Sequence, residues 1–199
     1  MKQLPLLFSS LVFIGCNQYT QVKSDNTQQV NKSNDAAELI NNGFLKYADS
    51  SKVDTLKTGL LNSFDIYEYD NFRIIHIDAE ELAEFSFDFF LPVLNKILSK
   101  RNINISAQQL SSRKGFYYAL INGDTVLLYT QKDVDDDTFW DKAPRHFFKK
   151  VNEILKESGE QFYLLYGGND LHGLLLTDKQ FSIISNYYKD NDKEKPYRP

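Results

Sequence analysis

Three histidines, His76, His146 and His172, carry the most versatile acid–base and ligand chemistry in this chain. His76 stands among Ile74, Ile75 and Ile77, His146 precedes Phe147, and His172 follows the Gly167-Gly168 pair. No two of them have the H-x-x-x-H or H-E-x-x-H spacing that puts two imidazoles on one helix face. The sequence therefore marks no metal site and no cofactor. Each imidazole reads as structural or surface-placed, and the alternative is a dispersed site where His146 or His172 meets carboxylates brought in by the fold. Asp133, Asp135 and Asp137 mimic the first ligands of a calcium loop, but Thr138 stands where glycine is needed and Pro144 where glutamate is needed. The run from Asp133 to Asp137 is expected to be an acidic loop feeding a helix N-terminus, where carboxylates favour the positive end of the dipole. Gly167-Gly168 has no following Gly-Lys-Ser/Thr and reads as a hairpin turn. The G-x-S-x-G elbow of serine hydrolases is absent from the sequence.

Tyrosine is the other informative residue type, with 12 in the chain beside 15 phenylalanines. Tyr67, Tyr69, Tyr117, Tyr118, Tyr129, Tyr163 and Tyr166 all fall on predicted strands. Strand tyrosines ordinarily line the rim and core of a sheet. Where one sheet face is uncovered, they can instead bind a partner or a glycan, because tyrosine is amphipathic and low in rotamer entropy. Tyr117, Tyr129, Tyr163 and Tyr166 are the candidates for such a binding face.

The elements that must position these residues follow from periodicity. Ala36 to Ala48 has Leu39, Ile40, Phe44 and Tyr47 at helical spacing, with Asp35 as N-cap. Phe64 to Tyr69 and Phe72 to Ile77 read as strands about an Asp70-Asn71 turn. Asp78 then caps a helix continued by Leu82, Phe85, Phe89, Val93 and Ile97, which Pro92 must kink or restart. Phe116 to Ile121 and Thr125 to Thr130 flank Asn122-Gly123, a strong hairpin signal, and a helix follows from about Pro144 to Gly159. Phe162 to Tyr166 and Leu171 to Leu176 form a third hairpin, and Thr177 with Gln180 opens the last helix with a capping box. The expected fold is α+β, an antiparallel sheet built from about three hairpin-plus-helix units with helices on one face. A repeat origin and the ordinary alternation of α+β domains both fit this spacing.

The single cysteine cannot form a disulfide within the chain, but its position is telling. Met1-Lys2-Gln3 precedes an apolar run from Leu4 to Ile14, too short to span a bilayer and matching the core of a secretory leader. Phe13-Ile14-Gly15-Cys16 closes it and resembles the lipobox of bacterial lipoproteins. The resemblance implies diacylglyceryl transfer to the Cys16 thiol and cleavage before it. Two or three acyl chains, each buried methylene contributing about 0.8 kcal/mol, then hold the protein on a membrane. Asn17 in place of Asp implies, by the same resemblance, outer-membrane rather than inner-membrane residence in a Gram-negative cell. The expected organisation is a signal peptide over 1–15, the lipidated cysteine and a disordered tether over 16–35, one α+β domain over 36–189 and a disordered tail over 190–199.

A net charge of −4 argues against a general nucleic-acid binder, which needs clustered Lys and Arg to displace counterions. The expected function is a membrane-anchored envelope lipoprotein, not an enzyme, that binds a protein or other ligand. An immunity-type inhibitor of an incoming toxin is one concrete form. Its partners are the membrane, through the lipid anchor, and a protein. The alternatives are a cell-envelope enzyme with a dispersed His/carboxylate site and a structural subunit of an envelope assembly.

Overall fold

The computed structural model describes residues 34–199. The fold is α+β with antiparallel sheets, as the hairpin signals require. It has two three-stranded sheets rather than one sheet of six. The first joins β1 (Ile74–His76), β5 (Gln161–Leu165) and β6 (His172–Leu176) in the order β1-β6-β5. The second joins β2 (Ala107–Gln109), β3 (Phe116–Ile121) and β4 (Asp124–Thr130) in sequence order. The helices are α1 (34–41), α2 (Val53–Ser63), α3 (Ala79–Ala83), α4 (Leu91–Ser99), α5 (Gln131–Asp135), α6 (Phe139–Leu155) and α7 (Asp178–Tyr187).

The first predicted hairpin is not formed. Phe64 adopts φ 54° and caps α2, donating its N–H to the Gly59 and Leu60 carbonyls, and Phe72 adopts φ 55° after a 3-10 turn over Tyr69–Asn71. A left-handed residue costs about 1–2 kcal/mol. Burying a Phe side chain returns about 1.5–3 kcal/mol, and Phe64 is 2% exposed and stacked at 3.7 Å on Tyr187. Residues 64–68 are therefore irregular connection, and only Ile74–His76 pairs as strand. The first helix is shorter than its periodicity suggests, with Asp35 inside it and Gly43 at φ +76° in the turns beyond it. Pro92 starts a separate helix, α4, and Phe89 and Val93, expected in the core, are exposed. Pro144 lies inside α6, which begins five residues earlier at Phe139.

Helices cover both faces of the first sheet, not one. Ile75, Phe162, Leu164 and Leu175 point into the larger core with α3, α4 and α6. Ile74, Tyr163, Leu165, Leu174 and Leu176 point into a second core with α1, α2 and α7. The alternation of β5 and β6 thus feeds two apolar layers, so both strands read as continuous hydrophobic runs. Gly173 sits at the centre of β6, where an added Cβ would come within 3.2 Å of Ile75 Cγ2 and Phe162 Cδ1.

Glu160 ties β1, α4 and β5 together. Its carboxylate accepts from Arg73 Nη1 and Arg101 Nε, both at 2.7 Å, and all three side chains are buried. Arg73 also donates to the carbonyls of Phe44, Gly43 and Leu175, and Arg101 to those of Phe72 and Ile97. The last ten residues, expected as a frayed tail, are held. Tyr197 exchanges two 2.8 Å backbone bonds with Leu164 at the free edge of β5, and Glu194 accepts from the hydroxyls of Tyr67 and Tyr166.

Candidate binding surface

The second sheet buries one face only. Tyr117, Ala119 and Ile121 of β3 face the larger core, with Ala107, Val126, Leu128 and Tyr129 from the neighbouring strands. Period two then sends Phe116, Tyr118 and Leu120 to the other side. A register shift between Tyr117 and Tyr118 makes Leu127 the partner of Tyr118 and leaves Leu128 as an extra residue in β4. That bulge lets Leu128 and Tyr129, adjacent in sequence, both reach the core. His146 Nδ1–H donates to the Leu128 carbonyl at 2.7 Å, which fixes the ring against the bulge.

The outward side is apolar. Phe116, Tyr118, Leu120 and Leu127 belong to neither core, Phe116 is 43% exposed, and its ring stacks on Tyr118 at 6.4 Å. Arg113 and Phe116 exchange backbone bonds around Lys114-Gly115, whose φ values of 52° and 77° make a two-residue turn of the primed type. That turn carries the chain from β2 back into β3 and sets Leu110, Ser111 and Arg113 beside Tyr118. Together with Thr125 they line a cleft of about 410 Å³. Among the described residues no carboxylate forms an ion pair with Arg113. The surface thus presents aromatic and aliphatic groups at its centre and an arginine at its rim.

The four tyrosines singled out from the sequence do not share this face. Tyr117 and Tyr129 stack on each other at 4.6 Å on the core side of the second sheet, and the Tyr129 hydroxyl donates to the Ala83 carbonyl at 2.8 Å. Burial pushes the Tyr129 hydroxyl up to about 12. Tyr163 is fully buried in the second core, stacked on Phe181 at 4.0 Å, with its hydroxyl on Asp178 at 2.6 Å. Tyr166 is half-buried and donates to Glu194 at 2.5 Å. The correction has a physical cause: helices cover both sides of the first sheet, and the odd-numbered positions of β3 face inward. Tyr118, one residue from Tyr117, is the tyrosine on the open side. Cys16 lies outside the described residues.

The histidines are all bonded to backbone. His76 Nε2 meets the Asn169 carbonyl at 2.8 Å, His172 Nδ1 the Asp170 carbonyl at 2.7 Å, and His146 the Leu128 carbonyl. The acidic run is divided: Asp133 and Asp135 lie in α5, and Asp136 and Asp137 form the turn that leads into α6. Thr130 and Asp133 form a reciprocal capping box that opens α5, and Asp137 accepts from Trp140 Nε1 at 2.9 Å. Asp136 pairs with Lys132, and Asp135 accepts from Gln131. Among the described residues no group of three or more His, Cys, Asp or Glu is placed to hold a metal ion, and no helix is long and apolar enough to cross a membrane. Comparison with protein-family models, characterised proteins and solved structures returns no match.

Proposed function

We propose that this chain is an envelope lipoprotein, tethered through acylated Cys16, whose domain binds a protein partner on the open face of the second sheet. The observation that carries the reading is the cluster of Phe116, Tyr118, Leu120 and Leu127 on a sheet face that belongs to neither core. Burying such groups in a partner removes apolar area from water at about 25 cal/mol per Å². Tyrosine, phenylalanine and arginine are enriched at interfaces, and tyrosine and arginine are among the residues that supply hot spots there. The leader-like run ending in Gly15-Cys16 supports the anchor.

The test is capture from detergent-solubilised membranes with the wild-type chain and with Tyr118→Asp. The variant places a charge on the open face and leaves both cores intact. The expected result is a stoichiometric partner retained by the wild type and lost by a folded Tyr118→Asp chain. Equal capture by both proteins, or no stoichiometric partner under several growth conditions, overturns the reading. Mass spectrometry of the mature protein tests the anchor separately, and an unmodified Cys16 thiol removes it.

A further inference from the structure

His76 and His172 stand opposite each other on adjacent antiparallel strands. The Ile77 N–H bonds to the Leu171 carbonyl and the Leu175 N–H to the Arg73 carbonyl, at 2.8 and 2.7 Å. Residues 75 and 173 are therefore a hydrogen-bonded pair, and His76 and His172 a non-hydrogen-bonded one, the class that brings side chains closest. Their rings lie 5.0 Å apart, inclined at 63°. His76 is exposed and His172 half-buried, so solutes reach the pair directly.

The hydrogen bonds decide which nitrogens are available. A backbone carbonyl only accepts, so His76 Nε2 and His172 Nδ1 must each carry a proton to reach Asn169 and Asp170. In the neutral rings His76 Nδ1 and His172 Nε2 keep their lone pairs. An imidazole with one N–H anchored on a carbonyl and the other nitrogen bare is the arrangement that orients metal-ligating histidines. Two nitrogens at about 2.0–2.1 Å from a tetrahedral ion stand about 3.4 Å apart. A centroid separation of 5.0 Å accommodates that distance when the two bare ring edges turn toward each other.

We propose that His76 and His172 form a two-imidazole site for a first-row divalent ion of the nickel, copper and zinc group, with the remaining positions open to water. Imidazole nitrogen suits these ions, whereas magnesium and calcium require oxygen ligands. Among the described residues no further His, Cys, Asp or Glu joins the pair, so the site is open rather than closed.

The test uses the full chain carrying Cys16→Ser, which removes the thiol as a competing ligand. Zn(II) is titrated by calorimetry, and Cu(II) is added for electron paramagnetic resonance. The expected result is one ion per chain with two nitrogen ligands in the Cu(II) spectrum. His76→Gln and His172→Gln each weaken binding by more than about 100-fold, beyond the roughly 10–100-fold typical of losing an outer-sphere partner, and His146→Gln leaves it unchanged. Selective Ni(II) broadening of the His76 and His172 ring resonances gives the same answer without a substitution in the site. Absence of uptake at about 100-fold molar excess of metal, or equal uptake by the His76→Gln/His172→Gln chain, overturns the proposal.

Discussion

Glu160 is the residue on which the centre of the molecule turns. Burial raises its proton affinity, but the hydrogen bond from Arg101 and the charges of Arg73 and Arg101 more than offset this, holding the carboxyl below its usual range. Glu160→Gln leaves two buried guanidinium groups without their counter-charge, and breaking a buried pair from one side costs about 3–5 kcal/mol. Urea denaturation at neutral pH should show that loss as a lower midpoint at unchanged slope. The pH dependence has a definite sign. A carboxyl whose folded pKa is lowered contributes stability that is present above the unfolded value of about 4.3 and is lost as pH falls through the folded value. The stability difference between wild type and Glu160→Gln should be level above about pH 5 and shrink in acid. A difference that grows on acidification, or none at neutral pH, would show that Glu160 does not hold this cluster. None of this was legible in the sequence, because Arg73, Arg101 and Glu160 have no fixed spacing and meet only through the fold.

At the scale of the element, what the sequence showed clearly was what short stretches determine alone. Asn122-Gly123 makes its hairpin at φ 46° and 89°, Thr177 caps α7 with Gln180, and Asp78 caps α3. What it concealed was set by distant packing. Phe64 and Phe72 are left-handed although their residue type gives no hint of it, and Pro144 lies buried inside α6 rather than at its start. The open sheet face was foreseen in kind and missed in its residues, because the bulge and the coverage of the first sheet decide which tyrosines face outward. Lys114-Gly115 also escaped notice, since lysine is an uncommon first residue in a primed turn. Gly115 tests the importance of that turn. It has φ +77°, and a Cβ there would lie 2.9 Å from Gln131 Cβ. Gly159 has φ +72° with no atom within 4 Å of its added Cβ. Gly159→Ala should cost about 1 kcal/mol for the left-handed backbone alone, and Gly115→Ala about 2–3 kcal/mol once the clash is added. Chemical denaturation of the two variants compares them directly, and equal losses would show that Gln131 yields without cost. Thr177→Ala, which removes a cap on α7, should cost about 1 kcal/mol by the same measurement.

At the scale of the whole molecule, the C-terminal segment closes what the sheets leave open. β5 is an edge strand of the first sheet, and an edge presents unpaired N–H and C=O groups to any passing strand. Tyr197 occupies the Leu164 position on that edge with both backbone bonds, and its hydroxyl donates to the Tyr166 carbonyl at 2.8 Å. Its ring also meets Arg145 of α6 at 4.8 Å. Glu194, in the middle of the same segment, draws the Tyr67 and Tyr166 hydroxyls together. Charge and proline in the segment suggested a loose tail, but Tyr197, Glu194 and Arg198, which pairs with Asp178 at 3.3 Å, hold it. Removal of residues 190–199 should therefore have two separable effects. Loss of the Tyr197 and Glu194 contacts should lower the midpoint of unfolding, since each net hydrogen bond contributes about 0.5–1.5 kcal/mol. Exposure of the β5 edge should promote pairing between copies, seen as concentration-dependent growth in sedimentation. Tyr197→Pro distinguishes the two causes. It keeps the chain length but deletes the N–H that bonds Leu164, so it should reproduce the self-association while leaving the Glu194 contacts in place. A truncated chain that stays monomeric and equally stable would show that the segment rests on the edge without protecting it.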